Sequence, residues 1–263
     1  MTRSSHPAVQ AAVRRADHLA LHQHHDAVTS TNDVALAQVA AGVPLGLVVS
    51  ADRQTAGRGR HGRSWTDDIT GPDGPANLAV SVVVALPAHA PGLVPLAAGL
   101  AVHAAYEAAG ATPTLKWPND VLLDGRKAAG ILVERHRVTG RDVVVIGCGL
   151  DLDWRGVPRS GDSTGWTSLA EALARDVDRW QVLADLLDAL DEELAALDDP
   201  AALLVRYRER CSTLGQDVDV ALPGGGALAG IAVDLDAEGL LIIDTGRERI
   251  AVRAGEVTVR SAR

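Results

Sequence analysis

The chain contains no phenylalanine, two tyrosines and two cysteines in 263 residues. The cysteines, Cys148 and Cys211, lie far apart without metal-ligand spacing. They fit a reducing cytosol, with core filling as their default role. No uninterrupted apolar run is long enough to span a bilayer; the best candidate, 78–86, is short and stops at Pro87. The N-terminus lacks the apolar core of a signal peptide. A formal net charge of -9 argues against general affinity for nucleic acid. The missing phenylalanine, set against abundant alanine, valine, glycine and leucine, reads as compositional drift and not as function. The 47% apolar content is that of a soluble globular protein, and the length admits one large domain plus a small one.

Against this acidic background one stretch is basic. Gly57-Arg58-Gly59-Arg60-His61-Gly62-Arg63-Ser64-Trp65 holds three arginines, three glycines and a tryptophan in nine residues. Glycine lets the main chain approach a ligand closely. Arginine offers a fixed fork of N–H donors for phosphate or carboxylate. The segment reads as an anion-gripping loop, against the plainer reading of a solvated turn between strands. Gly57, Gly59 and Gly62 also satisfy the G-x-G-x-x-G pattern, which signals dinucleotide binding only between a strand and a helix. Here residues 66–75 are rich in turn formers, so no helix opens on the motif and the dehydrogenase reading is rejected.

Along the chain, residues 1–16 carry no pattern and are expected to form a flexible arm. His22, His24 and His25 raise metal binding, but without a cysteine or carboxylate at ligand spacing they read as a solvated turn. Ser30, Thr31 and Asn32 precede the apolar run 34–41, a helix N-cap signal; a helix start also presents free N–H groups to a polar ligand head. Strands are expected at 45–51, 77–86, 114–117, 121–123, 129–135 and 143–150, with a helix opened by Pro91 and Pro95 and stopped at Gly110. A two-residue Asp124-Gly125 hairpin turn brings Lys127 back along the strand of Asp120. Lys127 is either a solvated lysine after a turn or a pocket residue, because the small residues Ala128, Ala129 and Gly130 let a ligand lie against the strand. Asp120 then either holds the lysine charged or acts as a base. Trp65 and Trp117 are core aromatics or stacking plates. Helices follow at 178–197 and 200–211, and five short strands after Gly215 suggest a small barrel. The expected fold is α+β: a mixed sheet packed with helices, then a small β-barrel domain.

Lys116-Trp117-Pro118-Asn119-Asp120 and Arg126-Lys127-Ala128-Ala129-Gly130-Ile131-Leu132-Val133-Glu134, taken with the arginine loop, Ser30-Thr31-Asn32 and Gln54, stand in an order that resembles the catalytic domain of biotin protein ligases. The resemblance runs from about Thr29 to the C-terminus. It implies a catalytic domain over 17–213 and a small SH3-like domain over 214–263, with Gly255-Glu256-Val257 similar to the family's ending. It implies ATP and biotin as substrates, Mg²⁺, and a biotin carboxyl carrier domain as partner, in the cytoplasm. Biotin would be bound by Ser30, Thr31, Asn32, Gln54, Arg58, Gly59, Arg60 and Lys127. The nucleotide would be bound by Arg60, Arg63, Trp65, Asn119 and Asp151. Catalysis would fall to Arg58, Arg60, Lys127 and Asp120; no metal ligands are assigned. Asp151 departs from the family's Gly-x-Gly-x-Asn motif: an amide both donates and accepts, whereas a carboxylate only accepts.

Lipoate ligase and octanoyltransferase relatives share the fold but lack this arginine loop. A non-catalytic biotin-binding module would not need Lys127 and the arginines together. A biotin-responsive DNA-binding regulator would need three packed helices, and the 28 residues before the catalytic segment are too few. No DNA or membrane partner is therefore expected.

Overall fold

The computed structural model describes residues 2–3, 6–65, 70–71, 74–158, 165–221, 226–253 and 256–259. In chain order the elements are β1 (Thr2–Arg3), α1 (Pro7–Arg15), β2 (Leu21–His25), α2 (Thr31–Ala40), β3 (Leu47–Ala51), a small hairpin of β4 (Thr70–Gly71) and β5 (Gly74–Pro75), β6 (Asn77–Ala85), α3 (Val94–Ala108), β7 (Pro113–Lys116), β8 (Asp120–Leu123), β9 (Arg126–Val138) and β10 (Arg141–Asp151). Then come α4 (Leu169–Leu173), α5 (Arg179–Ala195), α6 (Pro200–Arg210) and the strands β11 (Asp217–Ala221), β12 (Ala227–Leu235), β13 (Leu241–Asp244), β14 (Arg249–Val252) and β15 (Glu256–Val259).

The valine-rich strands decide the layering. An eight-stranded sheet runs β1-β2-β3-β6-β10-β9-β8-β7. Only β2 and β3 pair in parallel, joined through α2; the other neighbours are antiparallel. β3 and β6 are near-continuously apolar, interrupted by Ser50, Asn77 and Ser81, because both faces are covered. Side chains alternate along a strand. Leu47, Val49, Val83, Val143 and Val145 accordingly pack under Ala35 and Val39 of α2. Val48, Val82, Val84, Val144 and Ile146 join the larger core with α1, α3 and α5. On β10 the α2-facing positions change from Val143 and Val145 to Gly147 and Gly149. Where the helix ends, the sheet surface loses its side chains and becomes a floor.

Three expectations change. The arm of residues 1–16 contains helix α1, with Val9 and Ala12 wholly buried among residues of the larger core, because its apolar positions fall on one face. His22 and His24 do not lie in a solvated turn: they point inward from β2 and share the Ser50 hydroxyl at 2.8 and 2.9 Å. The five C-terminal strands do form one antiparallel sheet, in the order β14-β13-β12-β11-β15, but among the described residues no pairing closes β14 onto β15. Gly255 lies outside the described residues.

The C-terminal sheet meets the larger one through Trp117. Its indole donates to the Gly239 carbonyl at 3.0 Å, and its main-chain N–H donates to Thr213 Oγ1 at 3.0 Å. Gly239 has φ of 79° and sits against Leu93 and Leu96, where a side chain would not fit. No described helix is long and apolar enough to cross a membrane.

Candidate functional site

The glycine floor carries a cleft. Its walls come from the start of α2 (Ser30, Thr31, Asn32), the arginine loop (Arg58, Gly59, Arg60, Arg63, Ser64, Trp65), the 116–120 turn, and Lys127 with Trp166. The cleft encloses about 1000 Å³ counted out to its open mouth.

One end is a polar relay. Ser30 occupies the N-cap position of α2 with extended angles, yet its side chain makes no capping bond. Instead Gln54 Oε1 accepts from the Thr31 N–H at 2.8 Å and from its hydroxyl at 3.1 Å. Ser81, reaching up from β6, donates its proton to Asn32 Oδ1 at 2.6 Å and lies 2.7 Å from Thr31 Oγ1, and Asn32 Nδ2 donates to Glu134 at 2.7 Å. Gly147 makes room: a Cβ there would collide with the Asn32 amide. A buried network of this kind holds its members in one orientation.

The arginine loop folds back on itself. Gly59 N–H donates to Arg63 O at 2.7 Å, Trp65 N–H donates to Gly57 O at 2.9 Å, and residues 60–62 make one 3₁₀ turn. This returns Trp65 onto the floor, where its ring lies 2.8 Å from the Cβ position of Gly130 and against that of Gly149. Arg60 Nη1 donates to Asn119 Oδ1 at 2.9 Å, and Asn119 is itself clamped to the main chain of Ile131 at 2.9 and 3.1 Å. Arg58 points elsewhere. It forks onto Asp33 at 2.6 and 2.8 Å and reaches Glu134 at 3.3 Å. The hydrogen bond from Arg58 pulls the Asp33 carboxyl below its ordinary range, and Asp33 and Glu134 in turn raise the arginine.

Lys127 is placed by a strand irregularity. The turn is as expected, with φ positive at both Asp124 (50°) and Gly125 (72°). Beyond it Leu122 pairs with Lys127 but Val121 pairs with Ala129, so Ala128 is bulged out. The bulge puts Lys127 and Gly130 on the face of Asp120; regular alternation would have put Lys127 and Gly130 on opposite faces. Tyr106 of α3 contacts the bulge, donating its hydroxyl proton to the Ala128 carbonyl at 2.9 Å. The Lys127 carbonyl accepts from Thr167 N–H at 2.7 Å. The ammonium rests 2.8 Å from Asp120 Oδ1, and 5.4 and 5.2 Å from the ring centres of Trp65 and Trp166. Of the two roles left open for Asp120, contact with Lys127 is the one the geometry contains.

The structure thus gathers Ser30, Thr31, Asn32, Gln54, Arg58, Gly59, Arg60, Arg63, Trp65, Asn119, Asp120 and Lys127 around one cleft. It leaves out Asp151. That residue ends β10 opposite Asn77, is wholly buried, and is not part of the cleft wall. The strand's pleat does not exclude it, since residues 147, 149 and 151 share a face; the cleft wall ends at Gly149, before residue 151 is reached. Trp117, offered as core or stacking plate, is core, 2% exposed. Sequence reasoning missed Trp166, Asp33, Glu134 and Ser81. Only Trp166 had a local signal, being one of five tryptophans in a chain with 3% aromatic residues. Cys148 lines the cleft beneath the surface, and burial pushes its thiol to about 12, so it stays protonated and inert.

A sequence profile of the Biotin/lipoate A/B protein ligase family matches residues 25–151, and one of the Biotin protein ligase C terminal domain matches residues 213–260. The chain is 39% identical over 237 residues to the biotin--[acetyl-CoA-carboxylase] ligase of Mycobacterium tuberculosis, covering 87% of this chain and 85% of that protein. It is 33% identical to the bifunctional ligase/repressor of Escherichia coli, covering 89% of this chain and 73% of that one. Among solved structures it resembles the Aquifex aeolicus biotin protein ligase in complex with biotin and ATP, with a TM-score of 0.76, 26% identity, and coverage of 93% of this chain and 100% of that chain.

Proposed function

This chain belongs to the biotin protein ligase family, and on that premise we propose how its cleft joins biotin to AMP and then hands the biotin to a lysine. The enzyme is an ATP-dependent biotin--[acetyl-CoA-carboxylase] ligase. In the first half-reaction a biotin carboxylate oxygen attacks the α-phosphorus of ATP. An O–P bond forms, the bond to the β-phosphate oxygen breaks, and pyrophosphate leaves. In the second, a lysine amine of a biotin carboxyl carrier domain attacks the acyl carbon, releases AMP and loses a proton.

The observation that carries this reading is the pairing of a held ammonium with a bare floor. Lys127 stands beside Gly130, whose Cβ position is 3.1 Å from its Nζ, so a ligand can reach it along the sheet. Biotin would take the end of Ser30, Thr31, Asn32 and Gln54, whose hydrogen bonds are already oriented. The nucleotide would take the end of Trp65 and Trp166, whose ring centres lie 5.4 Å apart and offer flat apolar walls to a base. The α-phosphate would then lie between Lys127 and Arg60. Charge prepared in advance at that point is commonly the largest catalytic contribution. Arg58 reaches substrate only by leaving Asp33 and Glu134, so its part follows loop movement, whereas Lys127 is already in place. The carboxylates Asp33, Asp120 and Glu134 around the cleft each hold a cationic side chain and do not form a resident metal site. Mg²⁺ therefore arrives as part of the nucleotide substrate, carried on its phosphates. We place the reaction in the cytoplasm; the buried free thiols of Cys148 and Cys211 are in keeping with that.

The reading is tested by mixing the protein with biotin, α-labelled ATP and a purified carrier domain. Biotin-dependent release of pyrophosphate and AMP with a labelled carrier lysine is expected; no biotin-dependent pyrophosphate release would overturn it.

Two variants probe the parts. Arg60→Gly removes the fork held by Asn119. A charge-assisted bond is worth about 1.5–3 kcal/mol net, so escape of the adenylate should rise by about one to two orders of magnitude. Bystander lysines should then be acylated, and rapid filtration that finds the adenylate as tightly retained as in the wild type would refute the role. Deleting residues 214–263 strips the Gly239 acceptor from Trp117, next to the cleft residues Lys116 and Asn119. We expect a folded truncation to biotinylate poorly; wild-type turnover would show the C-terminal part to be dispensable.

A further inference from the structure

A second cluster of chemically capable side chains lies at the root of the loops that lead to the cleft and contributes nothing to the cleft wall. Strands β2 and β3 run parallel, with His25 beside Ala51, so the residues that follow them, Asp26 and Asp52, emerge together. His24, one residue earlier on β2, turns inward and is 1% exposed. Its Nδ1 lies 2.9 Å from the Ser50 hydroxyl, which turns Nε2 to within 3.3 Å of Asp52 Oδ1. One nitrogen of His24 and one carboxylate oxygen each of Asp26 and Asp52 lie within 4.8 Å of one another.

We propose that His24, Asp26 and Asp52 bind a divalent transition-metal ion, of the Zn²⁺, Mn²⁺ or Co²⁺ class. Ligand atoms at about 2.0–2.2 Å from a metal stand about 3–4.4 Å apart, so this cluster needs only a small contraction. One imidazole with two carboxylates favours transition metals over Mg²⁺ or Ca²⁺, which take oxygen. The Ser50 contact supplies what ligating histidines need on their other ring nitrogen, a hydrogen bond that sets tautomer and ring orientation. Trp180 packs its ring edge against His24 at 4.8 Å and further restricts it. Two carboxylates bring two negative charges, and the cation now beside them is Arg179, 2.8 Å from the same Asp52 oxygen that approaches His24. An ion enters by displacing Arg179 from that oxygen, leaving it on the Asn77 carbonyl at 3.1 Å. The bound ion would join the two loops whose next residues are part of the cleft: Val28 N–H already bonds Arg53 O at 3.0 Å, and Val28 bridges to Gln54.

The test uses the full chain. Co²⁺ and Zn²⁺ are titrated by calorimetry, with metal content measured after gel filtration. One ion per chain is expected, with visible Co²⁺ bands of low symmetry. Asp26→Asn should abolish stoichiometric binding, and Ser50→Ala should weaken it about 10–100-fold, the usual cost of losing an outer partner. Arg179→Gln should tighten it by about tenfold or more, since a competing cation is gone, and this gain cannot arise from misfolding. Absence of stoichiometric binding overturns the proposal, as do unchanged affinity in Asp26→Asn, which would make exposed histidines the ligands, and unchanged affinity in Arg179→Gln.

Discussion

Replacing Lys127 with glutamine lowers the rate of adenylate formation by roughly 10²–10³, the usual effect of removing one preorganised charge stabiliser. Glutamine retains hydrogen bonding at similar length and deletes only the charge. The fold survives, because Lys127 is anchored by its main chain: its carbonyl accepts from Thr167 and its neighbour Ala128 is held by Tyr106. The side chain itself is 22% exposed in the cleft. Lys127→Arg rescues poorly. The ammonium is enclosed by Gly130, Asp120, Trp65 and Trp166, and a planar fork does not fit the place of a compact charge. The second half-reaction, started from supplied biotinyl-adenylate, suffers less, since the charge on the α-phosphate no longer has to develop. Single-turnover kinetics on each half measures both effects. Adenylate formation by Lys127→Gln at the wild-type rate would make Lys127 a solvated lysine after a turn and nothing more.

Gly149→Ala should be nearly as damaging, although alanine is a small change. Its Cβ would collide with Cε2 and Cζ2 of Trp65. The ring cannot simply step aside, because Trp65 N–H is bound to Gly57 O at 2.9 Å and the two main chains lie so close that a Cβ at Gly57 would stand 2.7 Å from Trp65 O. The whole arginine loop must lift, taking Arg60 away from Asn119. Misplacing reacting groups by about 1 Å costs about 10²-fold in rate, while overpacking costs about 1–3 kcal/mol of stability. Gly147→Ala strikes the other end, at the Asn32 amide. The two variants should therefore separate: Gly149→Ala raises KM for ATP more than for biotin, and Gly147→Ala does the reverse. Steady-state kinetics with each substrate varied gives the answer, and identical effects of the two variants would refute the assignment of the two ends.

Much of this was present in local sequence, where local forces act. The Asp124-Gly125 turn needs two positive φ angles and has residues that tolerate them. The valine-rich runs of β3 and β6 read as strands, and the glycines and arginines of residues 57–65 read as an anion-gripping loop or a solvated turn. The order of those segments was enough to indicate the family. His22 and His24 look like solvated residues because their shared partner, Ser50, is distant in sequence and adjacent only across a parallel pair.

The sequence by itself determined most of the elements and the cleft-bearing segments, because backbone preferences, turn chemistry and apolar periodicity extend over a few residues; the reaction class came from the resemblance carried by the order of its motifs. Tertiary structure alone decided which way the charged groups face. The bulge that turns Lys127 into the cleft is bonded by Tyr106, 22 residues before Ala128. Arg58 is held by Asp33, 25 residues away, and by Glu134, 76 residues away. Trp166 meets Lys127 across an isolated bridge, and Asp151 is buried where the floor ends. Each of these outcomes depends on which partner lies within a few ångströms in space. Hydrogen bonds, ion pairs and steric exclusion act at that range, regardless of separation along the chain.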